Sequence, residues 1–385
     1  MPHEMKFKII PAGFGPQPIR GPCYLWICTK EFVSSEDGAL FVDRLEGMGQ
    51  MLFPAITPSL EIIPARVNHY LAIIRPDSTG TMYINELDFR SKILPKRSFE
   101  TGQPVSFDDI ADVREMCLYL HDEHVVVPAD CGVVLFFSVG WRRGLFYDLD
   151  PLSPDSGTPR DYDIETQFGQ CYAYLGFQSR LQITKPEWDE MLRERWFPFI
   201  SLKTGTIQEI LGHVRNGRSV DDLLERIHQE VLSGLEAELS KWGQHPFFGD
   251  HLDLLKQAVN RYRAGDYISA VSILFPRIEG ILRGYHRVSR SGEKISQSAL
   301  VQAAVDNNPN VQHKHSLLLP TKFRDYLLEI FFENFDPEKP ENLTRHTVAH
   351  GVAPATDFNL KGATLGFLIL QQLSYYLFAP DVRQA

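Results

Sequence analysis

The chain lacks a run of about 18 apolar residues, so its sequence contains no candidate for a membrane-spanning helix. Its opening residues, MPHEMKFKIIPAGFGP, contain neither an apolar core segment nor a small-residue cleavage site, which argues against a secretory signal. Cysteine is scarce: the 385 residues include five cysteines, an odd number that is spread too widely for a disulfide framework. We therefore expect a cytoplasmic protein whose thiols are reduced and which has no contact with a membrane.

An excess of positive charge is also missing, since the formal net charge is -10. Residues 1–200 carry 19 Lys and Arg against 28 Asp and Glu, a balance of -9, whereas residues 201–385 carry 20 against 21. This composition excludes a dedicated basic nucleic-acid-binding domain, so that any contact with nucleic acid must be a local site. The uneven charge and the length both favour two domains of different character.

The first part of the chain is predicted to be mostly β. Its apolar segments are short, rich in β-branched and aromatic residues, and bounded by turn residues. Such segments are Tyr24–Cys28, Leu60–Ile63, Tyr70–Ile74, Met82–Ile84, Val125–Val127 and Val133–Phe137. The runs GVVLFFSVG and GLFYDL, joined by Trp141–Arg143, predict a β-hairpin. Helices are expected at Phe41–Met51 and Asp108–Leu120, and a long loop at PLSPDSGTPRDYD.

The second part is predicted to be all helical, because its apolar residues recur about every three and a half positions. Helices are expected at Val220–Trp242, Asp250–Ala264, Asp266–His286, Thr321–Phe332 and Leu360–Phe378, with a short helix from Asn342 or Thr344 to Gly351 and a polar loop over 288–318. The predicted class is therefore α+β. We expect residues 1–185 to form a β-rich sensor or regulatory domain and residues 200–385 to form an all-α bundle.

Three short patterns suggest metal ligands and are each outweighed by a structural role. Cys23–Cys28 has a soft ligand at either end, but no second pair lies nearby. His121–His124 (HDEH) has four ligand types in a row, but a solvated turn explains it better because a third fixed position is missing. Asp148–Asp150 lacks the preceding Gly-Ser turn of magnesium-dependent nucleotidyltransferases. No metal or cofactor is expected.

The segment ENLTRHTVAHG, residues 341–351, combines residue types that suit phosphodiester cleavage. His346 and His350 lie one helical turn apart, and Arg345 precedes them. A permanent cation can stabilise charge that develops on a phosphate, while an imidazole moves a proton near neutral pH. Two alternatives remain open: the histidines decorate a short surface helix, or they bind zinc with a third ligand that the sequence does not reveal.

This segment resembles the motif of the HEPN superfamily, in which Arg is followed after four to six residues by His and has Asn, Asp or His beside it. Here Arg345, His346, His350 and Gly351 occupy these positions, and the surroundings look like the bacterial abortive-infection branch. Upstream, LFPRIEGILR resembles the helix that presents a polar residue to the cleft, which would be Glu279. The resemblance covers about 245–380, the core of the helical domain.

The resemblance implies a homodimer in which both copies of the motif form one composite site. It also implies a metal-independent endoribonuclease that takes RNA as its substrate. In that scheme Arg345 stabilises the phosphorane, His350 is the general acid/base, His346 orients the substrate or tunes His350, and Glu279 braces Arg345. A regulated toxin of anti-phage defence is the expected role, with a protein trigger or regulator at the β-rich domain. The alternative is a non-catalytic interaction and assembly module of the same superfamily.

Overall fold

The structure, a computed structural model, describes residues 2–11, 14–18, 25–58, 66–153, 158–290, 292, 295–306, 314–334, 336, 338 and 342–377. It has an antiparallel β region followed by a helical region, which confirms the α+β class. The chain divides into two units: 1–93 with 113–178, and 94–112 with 179–385. The predicted boundaries at 185 and 200 differ from this division, because 94–112 and 179–199 belong to the second unit.

The first unit is built on an antiparallel sheet of seven strands in the order β4-β12-β11-β6-β7-β1-β5. Two smaller sheets pair β10-β9-β8 and β2-β3. The strands are β1 His3–Lys6, β2 Phe14–Pro18, β3 Leu25–Cys28, β4 Lys30–Ser34, β5 Ile56–Thr57, β6 Tyr70–Ile74, β7 Thr79–Ile84, β8 Asp88–Pro95, β9 Ile110–Leu120, β10 Glu123–His124, β11 Gly132–Val139 and β12 Arg142–Asp148.

The predicted hairpin is confirmed as β11 and β12, joined by a turn at Gly140 and Trp141. Arg142 and Arg143 lie in the second strand rather than in the connection. Both faces of the large sheet are buried: α1 (Ala39–Leu52) contributes to the apolar cluster on one face and α2 (Ile164–Gly176) to the cluster on the other. Burial on both faces explains why the run GVVLFF is continuously apolar instead of alternating.

The predicted helix at Asp108–Leu120 is wrong, because strand β9 occupies most of this segment. Asp108 and Asp109 belong to a 3-10 turn capped by Ser106, and the strand begins directly after it. Met116 and Leu118 are buried whereas Cys117 and Tyr119, which follow each of them, are partly exposed, a period of two. Helix α1 confirms the expected helix at Phe41–Met51. Val125–Val127 is not in a strand, and Leu60–Ile63 lies outside the described residues.

The remaining helices are α3 Gln178–Leu181, α4 Lys185–Arg193, α5 Thr204–Arg215, α6 Leu224–Gln244, α7 Leu252–Arg263, α8 Tyr267–Ser289, α9 Gln297–Val301, α10 Pro320–Tyr326, α11 Arg345–Ala349 and α12 Leu360–Ser374. Helix α9 and the π-helical segment Gln302–Asp306 occupy part of the stretch 288–318, which was expected to be a loop throughout. None of the described helices is long and apolar enough to cross a membrane.

The core of the second unit lies among α6, α7, α8 and α12. Its polar centre is Tyr262 on α7, whose hydroxyl lies 2.6 Å from His228 Nδ1 on α6 and 2.7 Å from Thr364 Oγ1 on α12. Helix α12 is buried on every side from Gly362 to Ser374, as its apolar sequence predicts. These contacts hold α8 firmly against its neighbours, and α11 packs on α8.

Candidate functional site

Helix α11 and its C-cap residue carry three of the four candidate residues: Arg345 and His346 lie in the helix, and His350 is the C-cap. Thr344 is the N-cap, and its hydroxyl oxygen accepts a hydrogen bond from the Thr347 amide. In return, the Thr347 hydroxyl oxygen accepts a hydrogen bond from the Thr344 amide. Thr347 Oγ1 also donates to Asn342 O at 2.9 Å, which fixes the approach to the helix. Gly351 has a φ of +69°, the left-handed conformation that ends a helix. Of the two predicted N-caps, Asn342 and Thr344, the structure has Thr344, and the predicted stop at Gly351 is confirmed.

Glu279 lies in the middle of α8 and is only 2% exposed. Its Oε1 accepts a hydrogen bond of 2.6 Å from Arg283 Nε, one helical turn later. Its other oxygen, Oε2, forms an ion pair with Arg345 Nε of α11. Two residues far apart in the sequence therefore meet, because α11 packs across α8 at this level.

The Glu279 carboxylate is thus shared by two guanidinium groups of different exposure. The side chain of Arg283 is 45% exposed and that of Arg345 is 23% exposed, so both cations extend from a buried anion toward the surface. The cluster retains one excess positive charge at its outer side. Arg283 was not among the residues predicted from the sequence, although its spacing of four from Glu279 is the usual signal of a helical ion pair.

The two histidines differ in their surroundings. His346 is partly buried, and desolvation together with the nearby Arg345 lowers its pKa, so the ring is neutral at neutral pH. His350 is exposed at the C-terminal end of α11, where its amide donates to His346 O at 2.9 Å. The site therefore combines a cation held in place by Glu279, a neutral half-buried imidazole and an exposed imidazole.

Arg195 holds the segment that leads into α11 and was not predicted either. Its Nη2 donates to Leu343 O at 3.0 Å and to Ile330 O at 2.9 Å, and its Nη1 pairs with Glu333 at 2.8 Å. A cavity of about 220 Å³ lies beside it, lined by Leu343 and by Lys361 of α12 among others. No local sequence pattern reveals this role, because Arg195 is far from the motif along the chain.

The other sequence patterns resolve differently. Asp148 is buried, accepts from Arg160 Nε at 2.9 Å and also contacts the Tyr162 hydroxyl, so it is a structural acid. Cys23 and the side chain of Cys28 lie outside the described residues. Among the residues that the structure describes, one group of three possible metal ligands lies close together: Cys117, His124 and Glu165. Within this part of the chain, no third ligand lies beside His346 and His350.

The cysteines with described side chains are not arranged as nucleophiles. Cys117, Cys131 and Cys171 are free thiols. Burial, aided at Cys117 by Glu165, raises the pKa of Cys117 and Cys171 to about 12 and that of Cys131 to about 11. At neutral pH these thiols are mostly protonated, so they react only slowly with electrophiles.

Comparison with protein-family models, with curated proteins and with solved structures gave no match in any of the three. The candidate site therefore rests on the residues and contacts of this chain.

Proposed function

We propose that the protein is a metal-independent endoribonuclease of the HEPN type, and that it cleaves RNA at a composite site formed by two copies of the chain. The observation that carries the proposal is the ion pair between Glu279 and Arg345. It supports the proposal because it brings the arginine of the motif to the polar residue of the upstream helix, the two positions that the HEPN resemblance selects independently.

The chemistry assigns one task to each group. The 2′-hydroxyl of the RNA gives its proton to an imidazole and attacks the adjacent phosphorus, and the 5′-oxygen of the next nucleotide leaves with a proton, so that a 2′,3′-cyclic phosphate remains. His350 is the acid/base because it is exposed. Arg345 stabilises the charge on the phosphorane, Glu279 orients Arg345, and the neutral His346 positions the substrate or tunes His350.

The dimer supplies a second exposed histidine and a second arginine, so that one imidazole can take a proton while the other gives one. An unrestrained ribonuclease would damage its own cell, so we propose that its activity is regulated. We assign it the role of a toxin in abortive infection, located in the cytoplasm. The acidic first unit is then the part on which a protein trigger or regulator acts. Its charge favours recognition of a protein over recognition of RNA.

A second candidate is a non-catalytic assembly module of the same superfamily. The observation that favours it is the limited exposure of Arg345, which is 23%, together with its engagement by a buried carboxylate. In this alternative the ion pair stabilises the packing of α11 on α8 and never meets a phosphate.

RNA cleavage in the presence of EDTA separates the two. Purified full-length protein is incubated with structured and unstructured RNA, and Arg345→Ala and His350→Ala are compared at matched dimer content. We expect each substitution to reduce the rate by about 100-fold or more, the range for loss of a positioned acid/base or a charge stabiliser. Arg261→Ala is the matched control, because Arg261 on α7 is an exposed arginine of the same bundle.

The products add a second criterion, since the mechanism demands a 2′,3′-cyclic phosphate and a 5′-hydroxyl. Cleavage that survives both substitutions would contradict the assignment of the site. Folded, dimeric wild type that leaves every RNA intact, and that does not arrest growth when expressed, would favour the assembly module.

A further inference from the structure

The first unit brings three side chains of metal-binding chemistry to one place. Cys117 lies on β9, His124 on β10, and Glu165 in the first turn of α2. Cys117 Sγ is 3.1 Å from Glu165 Oε2, and His124 Nε2 is 2.5 Å from Glu165 Oε1. One ligand atom of each residue lies within 4.8 Å of the other two.

The hairpin between β9 and β10 places the first two of these residues. His121 and Asp122 both have positive φ, 49° and 67°, and form its two-residue turn. The turn sets His124 opposite Tyr119. Cys117 precedes Tyr119 by two residues and therefore lies on the same face of the strand, diagonally across from His124. Of the HDEH run, His124 therefore has Cys117 and Glu165 as fixed neighbours, which the sequence alone does not reveal. His121 lies in the turn.

A glycine brings the third residue within reach. Gly169 of α2 packs so closely on β9 that a Cβ there would lie 2.9 Å from Glu115 Cα and 3.0 Å from Arg114 O. Glu165 is one helical turn before Gly169, so the close approach sets its carboxylate beside Cys117.

We propose that Cys117, His124 and Glu165 bind one Zn²⁺ ion. Thiolate, imidazole and carboxylate together are a donor set of zinc, whereas Mg²⁺ and Ca²⁺ prefer oxygen alone. Tetrahedral zinc holds such ligand atoms about 3.3 to 3.6 Å apart. The His124 and Glu165 atoms, which are 2.5 Å apart, would separate by about 1 Å, and a pair as far apart as 4.8 Å would approach by a similar distance. The Cys117 thiol gives its proton to solvent as the zinc–sulfur bond forms.

The side chains of His124 and Glu165 are 38% and 25% exposed, so water reaches the fourth position of the ion. The ion would fasten the β9–β10 hairpin to the start of α2. This site lies in the first unit, and the proposal is independent of the ribonuclease activity assigned to the second.

Cobalt(II) provides the test, because it occupies zinc sites and reports its ligands by absorption. Chelator-treated full-length protein is titrated with Co²⁺, and we expect a thiolate-to-cobalt charge-transfer band that saturates at one ion per chain and is abolished by Zn²⁺. Cys117→Ser should remove the band. His124→Asn and Glu165→Gln should each weaken Co²⁺ binding by at least about 100-fold, since loss of a ligand costs more than loss of its supporting partner.

His121→Asn is the matched control, because it removes a histidine from the same hairpin and Asn tolerates positive φ. It should bind Co²⁺ as the wild type does. A band that persists in Cys117→Ser, or equal effects of His124→Asn and His121→Asn, would overturn the proposal.

A measurement on the wild type alone covers the case in which a variant fails to fold. Zn²⁺ should slow the alkylation of Cys117 by at least about tenfold, read by peptide mass mapping, because a metal-bound thiolate is shielded. An unchanged rate with a saturating excess of Zn²⁺ would show that Cys117, His124 and Glu165 form only an ion pair with a neighbouring thiol.

Discussion

A buried carboxylate is stable only when other groups replace the water that it loses, and Glu279 shows how the second unit meets this demand. Its two oxygens are divided between two arginines, one on its own helix and one on α11. Both arginines reach toward solvent, so the cost of desolvation falls mainly on the carboxylate. The same pair that could orient Arg345 for catalysis therefore also joins α11 to α8.

Replacing the charge while keeping the shape isolates this role. We expect Glu279→Gln to lower the free energy of unfolding by about 1 to 3 kcal/mol, because Arg283 and Arg345 lose their anion but keep partial access to water. Urea unfolding followed by circular dichroism measures the change. Asp253→Asn is the control: this carboxylate on α7 is fully exposed and 3.9 Å from Lys256. Because it contributes only a small helix-dipole interaction in the first turn, its unfolding midpoint should move far less than that of Glu279→Gln. Equal midpoints for both variants would mean that the buried ion pair contributes nothing.

At the scale of elements, the position of α11 depends on close packing between the segment before it and the start of α12. A Cβ at Gly362 would lie 2.6 Å from Leu343 Cδ2 and 2.9 Å from Asp357 O. The leucine side chain can rotate away, but the backbone oxygen cannot. A glycine at this point therefore permits the approach that places Arg345 beside α8.

Two glycine substitutions that should change the stability in opposite directions test this packing. Gly362→Ala should destabilise the protein by about 1 to 3 kcal/mol, because the added methyl group overfills the contact. Gly234→Ala on α6 should stabilise it by about 0.4 to 1 kcal/mol, since its Cβ would meet no atom within 4 Å and alanine restricts the unfolded chain. Thermal unfolding monitored for both variants gives the comparison, and a Gly362→Ala variant at least as stable as Gly234→Ala would refute the packing argument.

The elements also show what the sequence could predict. Long amphipathic helices such as α6 and α8 follow from periodicity, and the short α11 follows from its cap at Thr344 and its stop at Gly351. Strand β9 was mistaken for a helix because Asp108 and Asp109 imitate the acidic first turn of a helix, while the period of two appears only further along. Local pattern therefore predicts an element well only where its start and its interior agree.

Contacts between distant elements are the part of the site that local pattern cannot supply. The resemblance to a known motif selected Glu279 and Arg345, but nothing in the sequence pointed to Arg195, whose partners belong to segments far along the chain. The cluster of Cys117 and Glu165 was missed for the same reason. Such contacts depend on how elements pack against one another, and the spacing of residues along one element carries no information about that packing.

At the scale of the whole molecule, the second unit is not a continuous piece of chain. Asp112 belongs to it, is fully buried, and accepts hydrogen bonds of 2.9 Å from Ser316 Oγ and from the Leu317 amide. Trp196, Phe197 and Phe199 also belong to it and are completely buried. A boundary placed at 200 removes all four of these residues from the unit whose core they help to form.

We therefore expect the fragment 200–385 to lose fixed tertiary packing. Without three large aromatic side chains, each worth about 3 kcal/mol or more in a core, the bundle should keep far-ultraviolet helical signal but lose near-ultraviolet circular dichroism and bind a hydrophobic dye. Full-length protein is the reference for both spectra. A cooperative unfolding transition in the fragment, with near-ultraviolet signal intact, would show that the helical core closes without residues 94–112 and 179–199.

Since a loosened bundle would be inactive for structural reasons, restraint by the first unit has to be tested in the full chain, with substitutions on the exposed surface of that unit. A rise in RNA cleavage there would indicate restraint, because the core of the second unit stays complete.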